Sequence, residues 1–157
     1  MAYETQKLLT PGDLLDEKGQ LAQCGWAPAL VRQYDRKAIK AGKLRIKEWD
    51  YYCISDGNVV LALTIADNSY MSMESVSLLV LDENRQATYS SIAPLSLGKY
   101  HFPSTSEKGD IAVEKEGYAL RFENDGEKRV LTVRWDKFAG GKPLTARIVL
   151  TDEPEDS

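Results

Sequence analysis

The 157-residue sequence predicts an all-β domain, an antiparallel β-barrel or β-sandwich lobe of seven to eight or more strands with little helix. Short segments alternate apolar and other residues with a period of two, which is the pattern of strands. Glycine, proline, asparagine and aspartate separate these segments at regular intervals, as they do in sandwiches and barrels. No stretch shows the apolar spacing of a convincing helix.

The clearest element is a hairpin formed by residues 43–55 and 58–66. The dipeptide Asp56-Gly57 joins them, and this dipeptide is the strongest short hairpin signal. The second strand is apolar on both faces, so we expect it to be central and covered on both sides. The first strand is less regular, and either a bulge near Glu48 or two half-buried faces would explain its pattern.

Six further strands follow the same alternation. In the third, we expect Val76, Leu78 and Val80 to point inward. A loop over residues 94–106 separates the fourth strand from a three-strand meander and a final strand. The six predicted strands cover residues 75–81, 85–92, 111–115, 118–123, 128–135 and 144–150.

Basic residues concentrate in one region, residues 32–47, where a single acid, Asp35, interrupts them. Such a cluster could contact an anion or a phosphate group. The favoured interpretation is a solvated loop and strand edge, because edge strands often carry lysine to prevent unwanted pairing. The cluster consists of Arg32, Arg36, Lys37, Lys40, Lys43, Arg45 and Lys47.

Charge and hydropathy exclude several classes of protein. The net charge of −4 argues against a duplex nucleic-acid binder, which needs a positive face. No apolar run approaches the roughly 20 residues of a membrane-spanning helix. The N-terminus lacks the basic start and apolar centre of a signal peptide, so we predict a cytoplasmic protein.

Metal, cofactor and nucleophile motifs are missing from the sequence. One histidine, His101, and two distant cysteines, Cys24 and Cys53, do not supply the four donors of a zinc site. The sequence has no glycine-rich phosphate loop and no GxSxG motif. We therefore predict no metal and no cofactor, and we expect both cysteines to be free and at least half-buried.

The candidate site is a group of aromatic and acidic residues: Trp49, Asp50, Tyr51, Asp67 and Tyr70. A half-buried carboxylate among aromatics can have a raised pKa and act as an acid. It can equally accept a structural hydrogen bond, which is the favoured interpretation. Asp67 is predicted to pair with residues 44–46, more than about 10 Å from Asp50, so the two are separate candidates, with Asp50 ahead.

Several short motifs resemble a bacterial family known as domain of unknown function 2804. They are Thr10-Pro11, the segment from Leu15 to Gly19, Gly25-Trp26, Lys47-Glu48-Trp49-Asp50-Tyr51-Tyr52, and Leu63 to Tyr70. Length and strand pattern predict that residues 1–150 are a single all-β domain, followed by residues 151–157 as an acidic linker or tail. The resemblance implies that this domain is the N-terminal lobe of a longer two-lobed protein. More distantly, the chain is similar to lipocalin-like two-lobed proteins, which include carotenoid hydratases.

Three functions follow as hypotheses. The favoured one is a binding lobe for an apolar or amphipathic small molecule, since barrels of about eight strands can hold one ligand. The second is a hydratase- or isomerase-like enzyme that uses Asp50 or Asp67 with a tyrosine. The third is a structural lobe that packs on a C-terminal half, and exposure of that surface would cause self-association.

Overall fold

Strands dominate the structure, a computed structural model that describes residues 7–151. The acidic segment 152–157, predicted to be a linker, lies outside the described residues. Contacts divide the chain into two units. The first unit comprises residues 1–42 and 104–106, and the second comprises residues 43–103 and 107–157.

The first unit has little regular structure. Strands β1 (Gly12–Asp13) and β2 (Arg32–Gln33) form a two-residue parallel pair. A 3-10 turn follows over Arg36–Ala38, and the Asp35 carboxylate caps it by accepting from the Lys37 amide at 2.8 Å. The turn signals of the sequence account for most of this unit.

The second unit contains two four-stranded antiparallel sheets. The first sheet has the order β3 (Glu48–Ser55), β4 (Val59–Asp67), β5 (Met71–Val80) and β6 (Arg85–Pro94). The second has the order β10 (Leu144–Leu150), β9 (Arg129–Trp135), β8 (Tyr118–Asn124) and β7 (Ile111–Lys115). Two further 3-10 turns cover Lys43–Arg45 and Ala139–Gly141. The predicted all-β fold is confirmed, and the two open sheets make it a sandwich rather than a barrel.

Apolar side chains from both sheets form one core. Leu63, Val76 and Leu131 are completely buried. The ring of Tyr52 meets that of Phe122 edge-on, with centroids 5.1 Å apart. These contacts between facing sheets are those of a β-sandwich, in which alternate residues of each strand point inward.

The first hairpin corrects the prediction for its first strand. β3 begins at Glu48, and the preceding residues 43–45 form a 3-10 turn instead of extending the strand. Pairing with β4 runs without a bulge from Glu48 opposite Asp67 to Ser55 opposite Val60. The inward residues of β3 are therefore Glu48, Asp50, Tyr52 and Ile54, and its outward residues are Trp49, Tyr51, Cys53 and Ser55.

Candidate functional site

The inner face of the first sheet is polar at one end, which we call the polar end. There Asp50, Ile65, Glu74 and Ser91 form one row across the four strands. The adjacent row contains three further polar residues, Glu48, Asp67 and Ser72. Since buried charges are costly unless they are compensated, each carboxylate here requires an explanation.

Glu74 is the best compensated of these carboxylates. It is completely buried and accepts from the Tyr100 hydroxyl at one oxygen. Its other oxygen accepts from the Tyr118 hydroxyl at 2.6 Å and from Lys115 Nζ at 2.8 Å. These four residues, the Glu74 cluster, join β5 of the first sheet to β7 and β8 of the second.

Burial and hydrogen bonding to Glu74 change the pKa values of its three partners. Burial alone would lower the pKa of Lys115, but hydrogen bonding to Glu74, Tyr100 and Tyr118 outweighs it and raises that pKa. Burial, together with the hydrogen bond to Glu74, raises the pKa of each tyrosine. At neutral pH the cluster therefore holds a cationic lysine beside two neutral phenols.

Asp67 organises the loop that supplies Tyr100. One oxygen of this buried carboxylate accepts from the Ser69 amide at 2.9 Å and from the Ser96 hydroxyl at 2.6 Å. The other accepts from the Tyr100 amide at 3.5 Å, and the Gly98 backbone adds a further hydrogen bond. Burial alone would raise the pKa of Asp67, but these hydrogen bonds lower it. Asp67 thus positions the loop, and through it Tyr100.

Unfavourable backbone conformations concentrate around this loop. Leu95, Leu97 and His101 have φ between 53° and 55°, and Ser69 in the adjoining turn has φ of 64°. The left-handed region is uncommon for residues other than glycine and disfavours bulky ones most. Residues in such conformations persist only where surrounding contacts hold them, and here Asp67 bonds Ser69 itself and the neighbouring residues Ser96 and Tyr100.

Asp50 differs from its neighbour on the same face. It lies half-buried opposite Ile65, and burial raises its pKa with no offsetting hydrogen bond among the described residues. Because Asp67 pairs with Glu48, Asp50 and Asp67 are diagonal neighbours on one face. The Cα atoms of such diagonal neighbours are about 7–8 Å apart. The expected separation of more than 10 Å came from the wrong register, which extended β3 back to residues 44–46.

The structure divides the five predicted site residues between the two faces of one sheet. Asp50 and Asp67 point inward, whereas Trp49 and Tyr51 point outward and are 60% and 57% exposed. Tyr70 lies in the β4–β5 turn, where Lys47 Nζ sits 5.7 Å from its ring centroid. The strand alternation that brings the two acids together therefore removes the aromatics from them.

Sequence reasoning missed Glu74 and its partners Lys115, Tyr100 and Tyr118. The signal for Glu74 was present, because it occupies the same alternation as Val76 and Leu78, the predicted inward residues. Starting the third strand at Met71, as observed, places Glu74 on the core face. An acid in an inward position predicts a buried ion pair, although not its partner.

Three further observations do not define a site. A cleft of about 460 Å³ is lined by Glu116, Gly117, Tyr118, Trp135, Asp136 and Lys137. Within residues 7–151, no group of three or more potential ligands could hold a metal ion. Cys24 and Cys53 are free, as predicted, but both are exposed and not half-buried.

Comparison with known families identifies the chain. The model of the family called domain of unknown function (DUF2804) matches residues 5–157. The protein belongs to this family. No curated protein and no solved structure matches the DUF2804 chain. No helix among its described residues is long and apolar enough to cross a membrane.

Proposed function

We propose that this DUF2804 domain binds a small amphipathic molecule on the outer face of the β3–β6 sheet. The carrying observation is a row of apolar side chains across all four strands: Trp49, Ala66, Met73 and Ile92. Trp49 is 60% exposed and Ile92 is 62% exposed, one on each edge strand, whereas Ala66 is buried and Met73 is half-buried between them. Exposed apolar patches of this kind mark ligand or interaction surfaces.

The neighbouring rows supply the polar half of the site. Tyr51, which is exposed, lies in line with Thr64, Ser75 and Ser90. The Ser75 and Ser90 hydroxyls are 2.8 Å apart, and so are those of Ser77 and Thr88. An apolar row beside a hydroxyl-bearing row suits a molecule that has both an apolar and a polar part.

The two exposed aromatic residues have the properties of side chains that contact a ligand. Trp49 and Tyr51 are adjacent outward positions on one strand, so their side chains stand side by side. Both offer a large apolar ring and a polar group, the combination that makes tryptophan and tyrosine frequent at interfaces. Of the five predicted site residues, these two carry the proposal.

Titration with octyl glucoside below its critical micelle concentration tests the proposal. Trp26 is also exposed, so Trp26→Phe provides the background in which Trp49 is the responsive tryptophan and Trp135 stays buried. We expect a saturable blue shift of the emission and a matching calorimetric signal. Trp49→Ala with Tyr51→Ser should remove the calorimetric signal. Leu81→Ala, which changes an exposed leucine outside the row, should retain it. Equal binding by all variants, or no binding at all, would contradict the proposal.

A hydratase- or isomerase-like activity is the second candidate, and Asp50 favours it. Its half-buried carboxyl has a raised pKa and lies near Tyr52, whose pKa burial and the Asp50 charge also raise. A carboxyl of this kind can donate a proton at higher pH than an exposed one. Deuterium uptake from D2O into a monounsaturated fatty acid should occur with the wild-type protein and disappear in Asp50→Asn.

Three other expectations remain predictions. They are the bacterial origin, the cytoplasmic location and the lipocalin-like relationship.

A C-terminal half packed on the outer face would also cover Trp49. If that half were absent, the exposed outer face would cause self-association. Sedimentation equilibrium of wild-type and Trp49→Ala proteins distinguishes this case, because only a packing surface would lose association on the change.

A further inference from the structure

Three segments of the second unit meet at one end of the first sheet. They are residues 43–47, 68–71 and 95–101, and we call them together the basic rim. The Ser69 hydroxyl donates to the Ile46 carbonyl at 2.6 Å. The amides of Leu95 and Leu97 donate to the carbonyls of Tyr70 and Ser69 at 2.8 and 2.9 Å. The basic rim is therefore one hydrogen-bonded surface.

The basic rim carries charge of a single sign. Its exposed cations are Lys43, Arg45, Lys47 and Lys99, and none of its three segments contains an aspartate or glutamate. The chain as a whole has a net charge of −4. Positive charge is thus concentrated at this surface against the overall sign, which indicates an anionic partner.

Large apolar side chains project from the same surface. Leu44 is 53% exposed, Tyr70 is 46% exposed, and Leu95 and Leu97 are 55% and 43% exposed. Both loop leucines occupy the left-handed region, which a leucine adopts with difficulty. Burial within the protein does not compensate for these conformations. The loop holds two leucines in solvent, and the buried Asp67 fixes their placement.

We propose that the basic rim docks the protein on an anionic lipid surface. Exposed leucines and a tyrosine beside lysines match the membrane interface, where apolar side chains enter the acyl boundary and aromatic rings sit at the headgroups. Lysine and arginine near such a surface gain from its negative potential. Phosphate groups of a nucleic acid would satisfy the cations but would leave the leucines without a partner.

This inference is independent of the proposed ligand site. The outer-face residues Trp49 and Tyr51 do not belong to the basic rim, and the octyl glucoside probe carries no charge. Variants of the basic rim should therefore retain octyl glucoside binding, and Trp49→Ala with Tyr51→Ser should retain vesicle binding. The failure of one proposal can in this way be told from the failure of the other.

Co-sedimentation with phosphatidylcholine vesicles, with and without phosphatidylserine, tests the docking. We expect the protein to sediment only with the phosphatidylserine vesicles, and less so as salt rises. Lys47→Gln and Lys99→Gln should each weaken binding about fivefold. Leu95→Asn with Leu97→Asn should weaken it about tenfold. Asparagine tolerates the left-handed region, so this double variant should fold at least as well as the wild type.

Matched controls change exposed residues outside the basic rim. Leu81→Asn and Lys142→Gln should bind phosphatidylserine vesicles like the wild type. Binding that is absent, or that the leucine changes leave unaltered, overturns the proposal. Binding to a DNA oligonucleotide that falls with the lysine changes but not with the leucine changes assigns the basic rim to nucleic acid, and also overturns it.

Discussion

The two ends of the sandwich interior use the same strands in the same register but bury different chemistry. At the apolar end, Tyr52 packs against Phe122, and Leu63 and Val76 are completely buried. At the polar end, Glu74 is equally buried but is surrounded by two phenols and a lysine. Apolar contacts tolerate small shifts, whereas a buried carboxylate requires each donor in place. A lost side chain should therefore cost stability through the cavity it leaves at the apolar end, and through the uncompensated charge or donor it leaves at the polar end.

Phe122→Ala should give the largest loss and sets the scale for the apolar end. Deleting a buried phenylalanine removes transfer energy and leaves a cavity, at a cost of about 3–5 kcal/mol. Urea unfolding followed by circular dichroism measures this. A loss below about 1 kcal/mol would show that the sheets close over the gap.

Lys115→Met tests compensation at the polar end. It leaves Glu74 buried without its cation, which costs about 3 kcal/mol, at the lower end for a buried pair because both tyrosines still donate. Adding Glu74→Leu should recover much of the loss, since an apolar pair needs no compensation. If the double variant is as unstable as the sum of the single ones, the pair is not coupled.

The pH dependence of stability follows from the same pair. Because the folded pKa of Lys115 is raised, its contribution is complete below the ordinary value of 10.5 and disappears as pH rises through the folded value. Thermal unfolding should therefore show a fall in stability above pH 10.5 that is smaller in Lys115→Met, where Tyr100 and Tyr118, whose folded pKa values are also raised, still contribute to the fall.

Asp67→Asn should have an intermediate effect. An amide cannot accept all the hydrogen bonds that hold the 95–101 loop, and an unsatisfied buried donor costs about 1–3 kcal/mol. Since the folded pKa of Asp67 is lowered, its stabilisation is present above the ordinary value of 3.8 and is lost below it. Hydrogen exchange of the Ser69 and Tyr100 amides should accelerate in the variant, whereas Val76 should be unaffected.

Asp50→Asn should have the smallest effect and the opposite sign. Its folded pKa is raised, so the contribution of Asp50 to stability is most favourable below 3.8 and declines as pH rises from there to the folded value. Removing the charge should raise stability at neutral pH by less than about 1 kcal/mol. A destabilisation of about 1–3 kcal/mol would instead assign Asp50 a structural hydrogen bond. Trp49→Ala, on the outer face, is the matched control and should leave the pH profile unchanged.

The sequence predicts the fold well because alternation and turn residues are local signals. The last strand, 144–150, and the hairpin at Asp56-Gly57 are both found where they were predicted. The predicted start of β3 was wrong, because residues 43–45 alternate like a strand but form a 3-10 turn. Local alternation does not distinguish a strand from such a turn where tertiary contacts determine which of them forms.

The candidate site was less predictable than the fold. Asp67 and Asp50 were singled out from their neighbours in sequence, and they do lie near one another on one face. The Glu74 cluster joins residues separated by 26 to 44 positions in the chain. Such pairing depends on how the two sheets face each other, and a single sequence carries no signal for it.

Open sheets leave their outermost strands without a partner on one side, and within residues 7–151 β3 is such a strand in its sheet order. The segment Tyr51-Tyr52-Cys53-Ile54 has the composition that promotes strand addition and fibril growth. Glu48 and Asp50 precede it and point inward on the same strand. Inward charges on an edge strand are a known defence against edge-to-edge aggregation. The acids of the polar end thus also help to keep the protein from polymerising along this edge.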